Sequence, residues 1–387
     1  MKAWHFSETS YPYLPDDIDS IRVTLPNRHF DPAKGADLWD RYIDEWKEAD
    51  AAGLGVMINE HHSTATCMDP AAPIIAGILA RETSTAPILI LGNPIANRKD
   101  PIRVAEEMAL IDVLSRGRLV VGFVRGVPWE ISATNSNPAR MQERMWEAHD
   151  LIVKAWTTHD GPFSWEGEFF HHREVNIFPR PWQDPCPPIW VTATSPGSVV
   201  SVAEHGHTTA TFLTGYDGTR KIFDIYRSTA ERCGFPATLD KLAYAGLVYT
   251  GETDEEGLAG AEQLLWYISS NKVPAQFSTP PGYLPQPARV AAMQGAKGPL
   301  DLRGRSLREL IDMGVVFAGS PDSVARQIST FYERVGGFGH MLNMGQAGFL
   351  SHDATVQGIR LFGREVLPQL QHLDGIPSAA GSDVMAS

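Results

Sequence analysis

Short apolar runs, each followed by a segment of helical periodicity, recur eight times along this chain, and that alternation constrains its fold more than any other feature. Neighbouring parallel strands cannot be joined by a tight turn; they need a crossover of a dozen or more residues, usually a helix. The expected strands are residues 2–7, 56–58, 87–91, 118–123, 189–192, 208–213, 243–250 and 315–317. Between them lie helical patterns at 35–52, 71–83, from 101 to about 114, and at 139–156, 197–205, 217–233 and 254–271. A helix at 321–335 follows the last strand, and another spans 352–370. Leu38, Tyr42, Ile43 and Trp46 recur at helical spacing in the first of these helices, with Gly53 as its stop. Asp100 and Pro101 read as N-cap and first helical residue of the third.

Eight strand–helix units close a barrel, so the expected fold class is α/β, a (β/α)8 TIM barrel with insertions. The rival, an open doubly wound sheet, calls for a Gly-x-Gly-x-x-Gly turn after the first strand, and none is there. We expect one barrel over residues 1–372, with excursions at 8–34, 160–183 and 274–305 and a flexible tail at 373–387. The excursion at 274–305, rich in Pro, Gly and Ala, is a candidate lid, because long structureless loops in compact domains are usually functional.

Charge and cysteine content narrow the function classes. A formal net charge of -13 without any basic run argues against nucleic-acid or acidic-membrane binding. Three widely spaced cysteines form neither a CxxC pair nor a disulfide framework, and no signal-peptide-like or membrane-length apolar stretch is present. A cytoplasmic protein is expected.

The active site of such a barrel lies at the C-terminal ends of its strands. There the chain carries Asn59-Glu60-His61-His62 after the second strand, Asn93-Pro94 after the third, Val124-Arg125-Gly126 after the fourth and Thr194-Ser195-Pro196-Gly197-Ser198 after the fifth. The last segment opens a helix, whose unpaired first amides favour an anion, although Ser195 or Ser198 as a plain cap fits equally well. Arg125 is either a phosphate clamp or an ion-pair partner, and Arg144, between Glu143 and Glu147, reads on its own as a surface ion pair. Glu60-His61-His62 admits acid–base catalysis, metal binding or simple packing. A metal-dependent hydrolase is the less favoured class, because the usual His-x-His after the first strand is replaced by His5-Phe6-Ser7. His205-Gly206-His207 has suitable spacing but precedes a strand, on the face away from catalysis, and His171-His172 falls in an excursion.

Four stretches together resemble the bacterial luciferase family of flavin-dependent monooxygenases. They are Asn59-Glu60-His61-His62; the run from Pro101-Ile102-Arg103-Val104-Ala105-Glu106-Glu107 through Leu114-Ser115-Arg116-Gly117-Arg118 to Phe123-Val124-Arg125-Gly126; Ala193-Thr194-Ser195-Pro196-Gly197-Ser198 with Ala203-Glu204-His205-Gly206; and Ala318-Gly319-Ser320-Pro321-Asp322 with Phe362 to Pro368. The resemblance implies a (β/α)8 barrel, reduced FMN (FMNH2) as cofactor and O2 as co-substrate, acting through C4a-peroxyflavin chemistry on a small, apolar organic molecule. It implies that Arg125, Arg144, Ser195 and Ser198 hold the FMN phosphate, with Asn93 and Thr194 in the same cofactor site. His61 then stands beside the reactive flavin edge as the catalytic group, and Glu60 orients it or buttresses the pocket.

Reduced flavin is expected from a separate reductase, since the chain shows no second nucleotide fold, and a homodimer is expected from the family's habit. Two departures matter. Val124 stands where light-emitting members have a reactive Cys, and Thr194 where they have an acidic side chain, which points to a dark monooxygenase. Hydroxylation and Baeyer–Villiger oxidation both stay open. A deazaflavin-dependent oxidoreductase on the same fold is the alternative, and a flavin-binding relative without catalysis a further one.

Overall fold

The computed structural model describes residues 1–270, 272–284, 286–293 and 302–373. Among the described residues eleven strands form: β1 Lys2–Ser7, β2 Gly55–Ile58, β3 Ile88–Asn93, β4 Leu119–Phe123, β5 Phe163–Glu166, β6 His171–Val175, β7 Ile189–Thr192, β8 Thr208–Phe212, β9 Leu242–Thr250, β10 Val316–Gly319 and β11 His340–Gln346. Eight of them pair in parallel in the ring β1-β2-β3-β4-β7-β8-β9-β11, which closes on β1. The expected (β/α)8 TIM barrel is therefore the fold.

The eighth ring member differs from expectation. The run at 315–317 does become a strand, but β10 lies outside the ring. It continues the edge of β9 that β8 leaves: Ala245 O accepts from Leu213 N, and two residues on Leu247 N donates to Val315 O. The ring is closed by β11, paired with β9 on one side and β1 on the other. Its sequence, His340-Met341-Leu342-Asn343-Met344-Gly345-Gln346, lacks β-branched residues and alternation, so strand propensity gives no signal there. Packing imposes the strand instead, and all but Gly345 are buried.

Helix starts follow local chemistry. Asp31 caps Pro32–Ala51 by accepting from Ala33 N, and Asp100 caps Pro101–Leu114 by accepting from Ile102 N at 3.0 Å, as its position before Pro101 predicts. Gly53 ends the first helix at φ 78°, a conformation that costs a residue without Cβ little. Helix faces carrying Leu38, Tyr42 and Trp46, or Val104 and Met108, pack on the outward Val56, Ile58, Ile88 and Ile90 of the strands. The alternate residues Trp4, Phe6, Met57, Leu89 and Leu91 fill the barrel interior with Trp190 and Leu342. Low in that interior, Trp4 Nε1 donates to His340 Nδ1 at 3.3 Å, and His340 Nε2 lies 3.1 Å from Asp240 O. Burial depresses the His340 pKa to about 4, so the ring is neutral and can both accept and donate.

Each excursion takes a distinct form. Residues 8–34 are laced to the loop after β2: Ala65 N donates to Ile21 O, Tyr11 N to Ala65 O and Met68 N to Thr9 O. Residues 160–183 contain the β5–β6 hairpin. The hairpin is pinned to the helix Met141–Thr157 through Glu147, whose carboxylate accepts from the amides of Glu168, Phe169 and Phe170 and from Trp165 Nε1. In 274–305 the helices Ala275–Ser278 and Gln286–Met293 form. Residues 294–301, and the expected tail beyond Leu373, lie outside the described residues. Among the described residues no helix is long and apolar enough to cross a membrane.

Candidate active site

Parallel strands bring every C-terminal end to one rim of the barrel. Asn59 to His62 therefore follow β2, Asn93 ends β3, Arg125 follows β4 and Thr194 with Ser195 follow β7, on strands adjacent in the ring. The sequence-predicted residues thus share one mouth. Rim neighbours are tightly joined: Val124 N donates to Asn93 O at 3.0 Å, and a Cβ on Gly92 would fall 2.1 Å from Val124 Cγ1.

His61 is held by a partner that sequence reasoning missed. Its Nδ1 lies 2.9 Å from Glu130 Oε1, and the same oxygen accepts from His62 N at 3.0 Å. Glu130 is 1% exposed. A carboxylate accepts, so the His61 proton sits on Nδ1 and Nε2 is left to take or give one. The His61 side chain keeps 20% of its surface exposed.

Glu60, expected to orient His61 or to buttress the pocket, takes up other partners. Its two oxygens accept from Arg98 NH2 at 2.8 and 2.7 Å, one lies 3.2 Å from His62 Nε2, and the other accepts from Ala72 N at the start of the next helix. It is 3% exposed, and its bond holds the His62 pKa above the usual imidazole value. Glu60 is a buttress joining three segments. The bond to His61 belongs to Glu130.

Two further buried carboxyls surround this loop. Glu8 accepts from Asn59 Nδ2 at 3.1 Å, and burial raises its pKa. Asp69 accepts from Ala71 N through Oδ1, while its buried Oδ2 has no partner; burial raises its pKa to about 7. Its backbone carbonyl accepts from His61 N at 3.0 Å.

The anion-side residues divide into two kinds. Arg125 pairs with no carboxylate among the described residues; its guanidinium lies 4.0 Å over the ring of Tyr283, whose hydroxyl donates to Gly126 O at 3.0 Å. Part of the 274–305 excursion therefore covers this arginine. Ser195 and Ser198 form a capping box: Ser195 Oγ accepts from Ser198 N, and the two hydroxyls are 2.9 Å apart at the start of the helix Pro196–Glu204. The cap reading of these serines is therefore the one seen, at a helix start whose first amides are the kind that can also meet an anion.

Arg144 is not a surface ion pair. It reaches back to donate from Nε to Ala96 O and from NH2 to Arg98 O, both at 3.0 Å, and stacks 4.2 Å from the Phe170 ring. It clamps the loop after β3. At the root of that loop both amide atoms of Asn93, and both of nearby Asn97, are buried without a hydrogen-bond partner. Such groups cost roughly 1–3 kcal/mol each when nothing pairs with them, so a polar ligand at this rim offsets a real penalty. Glu130, Arg98 and Asn97 escaped the sequence reading because Glu130 ends a single 3-10 turn, Pro128–Glu130, and the other two sit between elements, all without periodicity; only the closed ring brings them to the histidines.

Comparison with known proteins gives the family and the fold. The oxygenase component of flavin-dependent trigonelline monooxygenase from Acinetobacter baylyi is 30% identical over 173 residues, 44% of this chain and 47% of that protein, so the match spans about half the relative's length. Among solved structures, the oxygenating constituent of 3,6-diketocamphane monooxygenase from Pseudomonas putida, a type II Baeyer–Villiger enzyme in complex with FMN, superposes with TM-score 0.71 at 20% identity, covering 95% of this chain and 98% of that one. An F420-dependent secondary alcohol dehydrogenase superposes with TM-score 0.68 at 15% identity over 96% and 99% of the two chains. Both structural likenesses show the barrel fold. The family assignment comes from the luciferase-like monooxygenase model, which matches residues 21–337 and so takes in every rim residue described above from Asn59 to Ser198: this chain belongs to the luciferase-like monooxygenase family.

Proposed function

We propose that this chain is the oxygenating component of a two-component enzyme, taking reduced FMN from a separate reductase and using O2 to oxidise a small, apolar organic molecule. The observation that carries the reading is the His61–Glu130 pair on the same rim as the unpartnered amide of Asn93. An acid–base group and an unsatisfied polar cradle on adjacent strands suit a polar heterocycle bound between them.

The residues present fit FMN. Asn93 offers a buried donor and acceptor to a ring edge, and the Ser195–Ser198 amides and hydroxyls with Arg125 offer a phosphate site. Arg144 acts on that site as well by fixing the loop between Asn93 and Arg98. When bound, reduced FMN supplies the electrons that activate O2. The chain's own part is to orient reactants, exclude water and manage one proton at His61 Nε2. Tyr283 and the excursion that carries it serve as the lid over Arg125. The protein works in the cytoplasm as a homodimer; exposed Ile74, Ile78, Leu110 and Leu114 on two adjacent barrel helices favour the dimer.

The test compares cofactors directly. The purified chain is titrated anaerobically with reduced FMN and with reduced F420, then exposed to 18O2 with a panel of ketones, terpenes and aldehydes. Binding of reduced FMN and incorporation of one labelled oxygen into product is the expected result. Reduction of a ketone or aldehyde by reduced F420, with no label incorporated, would establish the deazaflavin alternative, and metal-dependent hydrolysis of an ester or amide without any flavin the hydrolase one.

A further inference from the structure

Away from the barrel mouth, three imidazoles and a carboxylate meet between the helix Met141–Thr157 and the turn after Pro196–Glu204. His149 Nδ1 lies 2.8 Å from Asp150 Oδ1, and His149 Nε2 lies 2.7 Å from His207 Nε2. His205 stacks on Trp146, with ring centroids 4.0 Å apart and planes within 6°. One ligand atom from each of His149, Asp150 and His205 falls within 4.8 Å of the others, and among the described residues no other group of three such side chains meets that spacing. His207 directly precedes β8, so this cluster belongs to the opposite side of the barrel from His61 and takes no part in the chemistry proposed there.

We propose that His149, Asp150 and His205 form a binding site for a first-row divalent transition metal of the zinc class, with His207 outside the ligand set orienting His149. Two imidazoles and one carboxylate are ligands such ions accept, and partial exposure leaves room for water to complete the shell. Each ligating ring has an outer polar partner, as metal-bound histidines almost always do. His205 Nδ1 lies 2.7 Å from Ser201 O. A carbonyl only accepts, so that nitrogen carries the proton and Nε2 keeps its lone pair.

His149 Nε2 lies 2.7 Å from His207 Nε2, a contact that holds one proton between the two rings. With the proton on His149 Nε2, the Nδ1 lone pair and an Asp150 oxygen face one another at 2.8 Å as two acceptors. A cation between them resolves that opposition. Without metal, a proton on Nδ1 does so, and the metal displaces it. The bound ion ties the helix that carries Arg144 to the turn before β8.

The full-length protein, without an affinity tag and stripped with chelator, is titrated calorimetrically with Zn2+ and spectroscopically with Co2+. The expected result is one equivalent bound, with a Co2+ visible spectrum of nitrogen–oxygen ligation. His205→Ala, at an exposed ring, and Asp150→Asn are expected to weaken binding at least by the roughly 10- to 100-fold that even an outer-shell partner of a metal site is worth. His171→Ala, in the exposed pair with Glu166, leaves it unchanged. Zinc raises the melting temperature of the parent and not of His205→Ala. Absence of a stoichiometric site in the parent, or undiminished affinity in His205→Ala, overturns the proposal.

Discussion

Glu130 Oε1 lies 2.9 Å from His61 Nδ1 and simultaneously accepts the backbone amide of His62, so one buried oxygen fixes both the tautomer and the direction of the His61 ring. The pair couples the loop after β4 to the loop after β2 across β3, which separates them in the ring. Replacing Glu130 by Gln keeps the shape but presents an amide that can donate, which releases the constraint on Nδ1. On the proposed function, turnover falls and the acid–base limb of the pH–rate profile moves, while reduced-flavin affinity changes little. His61→Ala removes the group itself and is expected to lower coupled product formation by roughly 10²–10⁴-fold, the usual worth of a positioned acid–base group. Single-turnover product yield against pH distinguishes the two variants.

Glu60 acts differently, and its variants should separate stability from chemistry. Its carboxylate is buried, and Arg98, His62 and the Ala72 amide all converge on it. Removing one partner of a buried pair leaves an uncompensated charge and costs about 3–5 kcal/mol. Because Arg98 is 30% exposed and His62 remains, Arg98→Ala is expected near the lower end, about 3 kcal/mol. Urea denaturation measures the loss. A normal pH–rate profile in the surviving folded fraction is the companion result; a displaced profile would mean that Glu60 reaches the chemistry after all.

The sequence made the barrel legible because its strand–helix alternation is periodic and its helix caps are local. Asp100 capping Pro101–Leu114 needed nothing beyond three neighbouring residues. β11 was not legible, since burial on a closing ring decides its conformation and propensity does not. The same divide runs through the site. Strand ends announced His61, Asn93, Arg125 and Ser195, whereas Glu130 and Arg98 occupy short aperiodic segments whose partners lie 69 and 38 residues away. Arg144 illustrates the limit of local reasoning: its neighbours Glu143 and Glu147 suggest a surface pair, yet Glu147 is engaged by the hairpin and Arg144 by the loop after β3.

Asp69 gives stability a pH dependence of definite sign. Burial raises its pKa from 3.8 to about 7, so between those values the folded chain holds a proton that the unfolded chain has released. Its contribution is fully present below the unfolded value and is lost as pH rises through the folded one. Asp69→Asn retains an acceptor for Ala71 N and removes the titration. The variant is expected to match the parent near pH 4 and to exceed it above pH 7, by up to about 4 kcal/mol if the whole shift is expressed. Glu8 and Glu45 are raised by burial in the same direction, so the difference between variant and parent, measured by denaturant unfolding from pH 4 to 8, isolates Asp69.

The apolar side chains left outside the core predict how the barrels associate. Ile74 is 65% exposed and Leu110 48%, on the helices Ala72–Glu82 and Pro101–Leu114, which pack against each other. Ile78 and Leu114 extend the same two helices. Four large aliphatic side chains on adjacent helices are more than the scattered surface residues that need no explanation, and their burial against a second copy returns on the order of 25 cal/mol per Å² removed from water. Such a patch is self-complementary in a two-fold dimer, where each helix pair meets its own copy. Leu110→Arg places a charge in that contact twice per dimer. Sedimentation equilibrium is expected to show a dimer for the parent and a shift toward monomer for Leu110→Arg, with the circular dichroism of the barrel retained. Because the mouth faces away along the strand axis, reduced-flavin binding per chain is expected to persist in the monomer, and a parent that sediments as a monomer at micromolar concentration excludes the dimer.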